Sequence, residues 1–141
     1  MKTRLLLVGF CLVIVLFQAR ATRAQNWALA VNAPSNNWYS LATSADGTKL
    51  VAGVFGGGVY VSADSGASWS LTNLPIGSWY SSASSTNGST LVVGAFSSIY
   101  VSTNSGSTWT STAPNLSSVN CVSVASSGDG TKLLALPQTT S

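Results

Sequence analysis

Asp46-Gly47-Thr48-Lys49-Leu50-Val51-Ala52-Gly53 occurs three times in this chain in slightly altered form. It returns as Asn87-Gly88-Ser89-Thr90-Leu91-Val92-Val93-Gly94 after 41 residues, and as Asp129-Gly130-Thr131-Lys132-Leu133-Leu134-Ala135-Leu136 after a further 42. Asp-Gly and Asn-Gly are preferred centres of two-residue β-hairpins, in which both positions take φ > 0. The apolar run behind each pair reads as a strand. A strand with one wet face alternates, whereas these runs are apolar on both faces and imply sheets covered on both sides.

The repetition extends outward from this stretch. Trp38-Tyr39-Ser40 returns as Trp79-Tyr80-Ser81. Ser62-Ala63-Asp64-Ser65-Gly66-Ala67-Ser68-Trp69 returns 40 residues later as Ser102-Thr103-Asn104-Ser105-Gly106-Ser107-Thr108-Trp109. The Trp27 segment matches those of Trp69 and Trp109, and the linkers carry Pro34, Pro75 and Pro114. In the first repeat the pattern predicts strands over 38–43, 49–55, 59–62 and 68–72, with turns at Asp46-Gly47 and Gly56-Gly57-Gly58. Four short strands per repeat of about 40–45 residues are the mark of a β-propeller blade. The Gly-His and Trp-Asp signature of one large propeller class is absent. The expected fold is therefore all-β, in four-stranded antiparallel blades. It comprises an outer strand over 26–31, a blade over 38–72, a second over 79–112 and a partial one over 119–136. Abundant Ser, Thr and Gly, and no Glu, argue against helix in this part.

The N-terminus has a different purpose. Met1-Lys2-Thr3-Arg4 is basic, and the run 5–17 (LLLVGFCLVIVLF) holds 13 apolar residues. Ala19-Arg20-Ala21 and Thr22-Arg23-Ala24 both offer small residues at cleavage spacing. This is the order of a secretory signal peptide over 1–24. It is too short to cross a hydrocarbon core of about 30 Å, so the expectation is a secreted protein, extracellular or periplasmic, with no stable membrane span once the signal is cut. An uncleaved anchor is the alternative. Beyond residue 24 only Lys49 and Lys132 oppose Asp46, Asp64 and Asp129, so the formal +3 of the full chain becomes −1. No basic patch remains to neutralise phosphates, which argues against nucleic acid as a partner. Cys11 leaves with the signal and Cys121 is then alone, in the alternating apolar run Val119-Asn120-Cys121-Val122. A small buried thiol is the expected reading, with pairing between chains as the other.

Ser62-x-Asp64-x-Gly66-x-x-Trp69 resembles the Asp-box, or BNR, repeat of bacterial sialidases, xyloglucan-cleaving propeller enzymes, sortilin-type ectodomains and the photosystem II assembly factor. The second copy departs from the pattern with Asn104 in the aspartate position. The resemblance implies a structural hairpin at the blade periphery, away from any central active site. Its structural residues are Ser62, Asp64, Gly66 and Trp69, then Ser102, Asn104, Gly106 and Trp109. Asp64 is expected to accept backbone N–H bonds from two or three residues on, as an Asx-turn. Gly66 is expected to take the left-handed conformation, and Trp69 to pack over the turn.

The resemblance also sets a chemical test. A sialidase-like site needs several arginines for the substrate carboxylate and a tyrosine–glutamate pair. Beyond the signal there is at most Arg23 and no Glu. Glycoside hydrolysis more widely needs two carboxylates across the scissile bond, and each of the three aspartates already belongs to a turn. The chain has no His, which excludes His-based triads and His-containing zinc sites. The expectation is a non-enzyme with no catalytic, cofactor-binding or metal residues, acting as a binding or scaffold module. The alternative is an N-terminal fragment of a larger propeller glycoside hydrolase. Trp38, Tyr39, Trp79 and Tyr80, at the start of the innermost strand of each blade, are the candidate ligand-facing aromatics for a protein or glycan partner. Blade core is the competing reading for all four.

About two and a half blades fall short of the roughly four to eight that close a ring. Truncation or closure by several copies would each account for this, and exposed blade edges favour homo-oligomers. Asn87-Gly88-Ser89 and Asn115-Leu116-Ser117 fit the glycosylation sequon.

Overall fold

The structure is a computed structural model and describes residues 30, 32–112 and 119–139. The signal over 1–24, most of the 26–31 strand with Trp27, and the Asn115 sequon lie outside the described residues. So does the side chain of Cys121.

The described residues form strands joined by turns. β1 (Trp38–Thr43), β2 (Leu50–Val54), β3 (Val59–Ser62) and β4 (Ser70–Leu71) make one antiparallel sheet in sequential order. β5 (Trp79–Ser84), β6 (Leu91–Ala95), β7 (Ser98–Ser102) and β8 (Thr110–Ser111) make a second, and β9 (Val119–Ser126) pairs with β10 (Leu133–Thr139). β1 lies beside β5, and β5 beside β9, so the first strands of successive blades are neighbours. The strands expected over 38–43 and 59–62 form as expected, and the other two are shorter. Lys49 leaves β2 because its N–H donates to the Ser44 hydroxyl at 3.0 Å. The third repeat extends past 136, to Thr139.

The expected two-residue hairpin turns are replaced by six-residue loops over 44–49, 85–90 and 127–132. In each loop only the glycine takes positive φ, at 73° for Gly47, 66° for Gly88 and 74° for Gly130. The cause is a local cap. Asp46 Oδ1 accepts the Ser44 hydroxyl at 2.5 Å and the Thr48 N–H at 3.1 Å. Asn87 does the same with Ser85 and Ser89, and Asp129 with Ser127 and Thr131. These side-chain bonds stabilise a turn in which the acidic or amide residue keeps ordinary φ.

The core lies between the sheets. Val51 and Val59 of the first blade pack with Trp79, Leu91, Val93 and Ala95 of the second. Val92 turns the other way and meets Val124 of the third repeat. β6 is therefore apolar throughout because alternate residues serve opposite seams. Each fully buried aliphatic side chain contributes about 1.5–3 kcal/mol.

Candidate functional site

The two ends of the blades differ in chemistry. The loops 44–49 and 127–132 and the β3–β4 turn hold Asp46, Lys49, Asp64, Asp129 and Lys132. These are all the charged residues among the described ones. At the opposite end lie the starts of β1 and β5, the β2–β3 turn, and the linker from β4 to β5, tied together by the Gly57–Gly77 bridge.

At the charged end the β3–β4 turn is a closed hydrogen-bonded unit. The Ser62 hydroxyl donates to Asp64 Oδ1 at 2.8 Å and accepts the Gly66 N–H at 2.9 Å. Asp64 accepts the Ser68 N–H at 2.8 Å and the Ser68 hydroxyl at 2.6 Å. The aspartate thus reaches four residues on, and the serine serves the nearer N–H groups, which corrects the expected Asx-turn. Ser65 and Gly66 both take positive φ, 59° and 85°. The Trp69 ring stands 3.7 Å from where a Gly66 Cβ would be. The second copy repeats this. Ser102 accepts from Gly106, Asn104 Oδ1 accepts the Thr108 N–H, and the Asn104 amide donates to the Thr108 hydroxyl. Trp109 Nε1 donates to Gly106 O at 3.0 Å.

These bonds hold the carboxyls acidic. The Ser68 hydroxyl, then the Ser68 N–H and the Ser62 hydroxyl, lower Asp64 to about 2. Asp46 is lowered to about 2 first by the Ser44 hydroxyl, and Asp129 to about 2 first by the Ser127 hydroxyl. Each stays ionised at neutral pH, where a general acid must hold a proton. Among the described residues no three His, Cys, Asp or Glu side chains gather as a metal site requires.

The opposite end carries aromatic rings. The register slips between Trp38 and Ser40 on β1, and identically between Trp79 and Ser81 on β5. Such a bulge leaves one residue outside the ladder and re-aims its side chain; here the residues are Tyr39 and Tyr80. Tyr39 is 61% exposed and Tyr80 half-buried. Phe55, 45% exposed, completes a triangle with them. The ring centroids are 5.9 Å apart for Tyr39–Phe55, 5.9 Å for Tyr39–Tyr80 and 6.1 Å for Phe55–Tyr80. Phe96 repeats the Phe55 position on the second blade, is also exposed, and borders a cleft of about 130 Å³ with Pro75, Ile76 and Ser78.

The four candidate aromatics therefore divide. Trp79 is 1% exposed, sits edge-on to Tyr100 and donates from Nε1 to Gly57 O of the first blade at 3.2 Å. It is a seam residue and is withdrawn from the ligand-facing set. Trp38 is half-buried against Tyr60 and Trp69, with Nε1 on Pro34 O, so it belongs to the first blade's outer face. Tyr39 and Tyr80 remain. Phe55 was missed by sequence reasoning. The available signal was its recurrence as Phe96 directly after the second strand.

No protein-family model matches the chain, and no curated protein matches it. Solved structures do. An ancestral GH74 enzyme is similar with a TM-score of 0.62 and 21% identity, over 78% of this chain and 18% of its own. YCF48 bound to a D1 peptide is similar with a TM-score of 0.55 and 11% identity, over 74% of this chain and 42% of its own. A GH74 enzyme of Niastella koreensis has a TM-score of 0.48 and 27% identity, over 62% of this chain and 13% of its own. The chain thus spans less than half of each of these structures. The first two likenesses, with the four-stranded sheets, show a set of β-propeller blades.

Proposed function

We propose that the chain is a secreted, non-catalytic binding module built of Asp-box blades, and that its Tyr39–Phe55–Tyr80 surface binds neutral carbohydrate. The observation that supports this is the triangle of exposed Tyr39 and Phe55 with half-buried Tyr80, its two tyrosines set by backbone bulges, at the end that carries no charge among the described residues. Sugar rings present apolar C–H faces, and rigid aromatic rings with a polar tip suit such faces. Among the described residues no charged group lies beside the rings, which favours an uncharged glycan over a sialylated or sulfated one. The leader over 1–24 would bring the blades outside the cytoplasm, where such glycans occur.

The test is calorimetric titration of the full chain and its Tyr39→Ala variant with cellohexaose, a neutral β-linked glucan. The expected result is saturable binding that weakens at least about tenfold in Y39A, the equivalent of 1.4 kcal/mol. Equal affinity of both proteins, or no binding to cellohexaose, would overturn the reading.

A second reading has these blades as part of a larger propeller glycoside hydrolase. The likeness to the ancestral GH74 enzyme over 18% of its length favours it. Hydrolysis of a neutral β-glucan by this chain alone would contradict the non-catalytic proposal.

A further inference from the structure

The cleft beside Phe96 takes no part in the Tyr39–Phe55–Tyr80 triangle, yet the two share one stretch of chain. Tyr80 carries a ring of the triangle, while Ile76, Ser78 and Trp79, just before it, line the cleft. The Gly57 N–H donates to Gly77 O at 3.0 Å, and the Gly77 N–H donates to Gly57 O at 2.8 Å. Gly57 stands two residues after Phe55. These two bonds therefore fasten the wall of the cleft to the turn that carries the triangle's phenylalanine, and the cleft adjoins the triangle.

Its lining has a floor, a rim and polar groups. Trp79 and Tyr100 form the floor, edge-on with ring centroids 5.6 Å apart, and Trp79 Nε1 is held by Gly57 O. A floor fixed in this way loses little freedom when a ligand settles on it. Ile76 and Phe96 form the rim and are 74% and 53% exposed. Phe55 spends its ring on Tyr39 and Tyr80, whereas Phe96 meets no other ring among the described residues. Ser78 and Ser98 bring neutral hydroxyls to the lining, each able to donate and to accept. An apolar rim around neutral hydroxyls on a rigid aromatic floor suits the C–H face and hydroxyls of a sugar ring, as the triangle does.

We infer that this cleft is a second sugar subsite, contiguous with the triangle, and that the ligand is an oligosaccharide long enough to cover both. The inference rests on the carbohydrate reading of the triangle and adds the length of the ligand to it. Phe96 is the platform of the second subsite and Ile76 its flank. A sugar held on the triangle presents its neighbour to the cleft at high local concentration, so the second contact adds affinity for long chains alone. A disaccharide seated on the triangle does not reach Phe96.

The test is a chemical-shift titration of the full chain with cellobiose and with cellohexaose. The wild-type protein should bind cellohexaose more tightly than cellobiose. Phe96→Ala should weaken cellohexaose at least about tenfold and leave cellobiose affinity unchanged, and Ile76→Ser should act in the same direction. Both side chains are exposed, and unchanged cellobiose binding reports that the variants are folded. Tyr39→Ala should weaken both ligands. Wild-type cellohexaose affinity in Phe96→Ala, or an equal loss of both ligands, overturns the second subsite while the triangle stands. A wild-type protein that binds neither sugar, or a Tyr39→Ala protein that binds both as wild type does, overturns the carbohydrate reading and this inference with it.

Discussion

Replacing Gly53 by alanine adds one methyl group at the seam between the first two blades. Built on the backbone, that Cβ would stand 2.6 Å from Trp79 Cβ and 2.7 Å from Ser40 Oγ. Carbon atoms rest about 3.5–4.0 Å apart, so the overlap is roughly 1 Å. Neither neighbour is the loose end of a flexible side chain. Trp79 Cβ is fixed to β5, whose carbonyl oxygen would itself be 3.3 Å away, and Ser40 is the register partner of Gly53. Relief requires the second blade to retreat, which loosens Val51, Val59 and Leu74 against Trp79. Overpacking of this kind costs about 1–3 kcal/mol. The lower entropy of an unfolded chain with alanine returns about 0.4–1 kcal/mol. The net expectation is a loss of about 1–2 kcal/mol, read as a drop of roughly 1 M in the urea midpoint. Tryptophan fluorescence should follow the transition, and native emission should shift to the red as Trp79 gains water. Gly47→Ala is the control. Its Cβ meets nothing within 4 Å, but φ is 73°. It should lose about 1 kcal/mol through left-handed strain alone, with native emission unchanged. A Gly53→Ala protein that unfolds at or above the wild-type midpoint would refute the packing of the seam.

Acid should weaken the fold in a defined window. Asp46, Asp64 and Asp129 have folded values near 2 against an ordinary 3.8. Their contribution is therefore complete above about pH 4 and lost as pH falls from there through 2. Melting temperature should fall across that interval, less steeply in Asp64→Asn, which copies the natural Asn104. A flat profile in both proteins would remove the turns from the pH dependence. The two repeat-equivalent tryptophans should also differ. Trp79→Phe loses the bond to Gly57 O and part of a buried ring, for about 1–3 kcal/mol by urea unfolding. Trp38→Phe, half-buried on the outer face, should lose less than about 1 kcal/mol. Equal losses would mean that the outer face is covered in solution.

The blades were legible because their period is long and their landmarks differ from one another. Trp-Tyr-Ser, the Asp-Gly pair and the Ser-x-Asp-x-Gly turn mark three separate points in each repeat, so strand order and number follow from their spacing. The loop geometry was misread because a dipeptide rule ignores the flanks. Ser44 two residues before Asp46 and Thr48 two after it carry the hydrogen bonds that lengthen the loop. Both flanks recur in all three repeats, so the signal was present. The site was harder to read because a bulge breaks the alternation from which side-chain direction is inferred. Tyr39 and Trp38 are neighbours with opposite roles, and only the register slip separates them. Phe55 lies just beyond its strand, where no period assigns it a face.

The third repeat shows which contacts the architecture requires. Its loop keeps the internal cap of the other two. Ser127 and Asp129 cap it, and Gly130 takes the same φ. The seam positions change instead. Cys121 pairs with Pro137 in the register where Trp79 pairs with Ala95, and Leu136 pairs with Ser123 where Gly53 pairs with Ser40. The step from blade to blade is set by loops that bond to each other through Ala45, Thr86 and Gly128. A Cβ on Gly88 would strike Lys49, and one on Gly130 would strike Thr90, so the glycines hold that step close. Side chains in the seams fill whatever space the step leaves. Substitutions there should alter stability while the blade spacing stays fixed. Substitutions at Gly88 or Gly130 should alter the spacing itself.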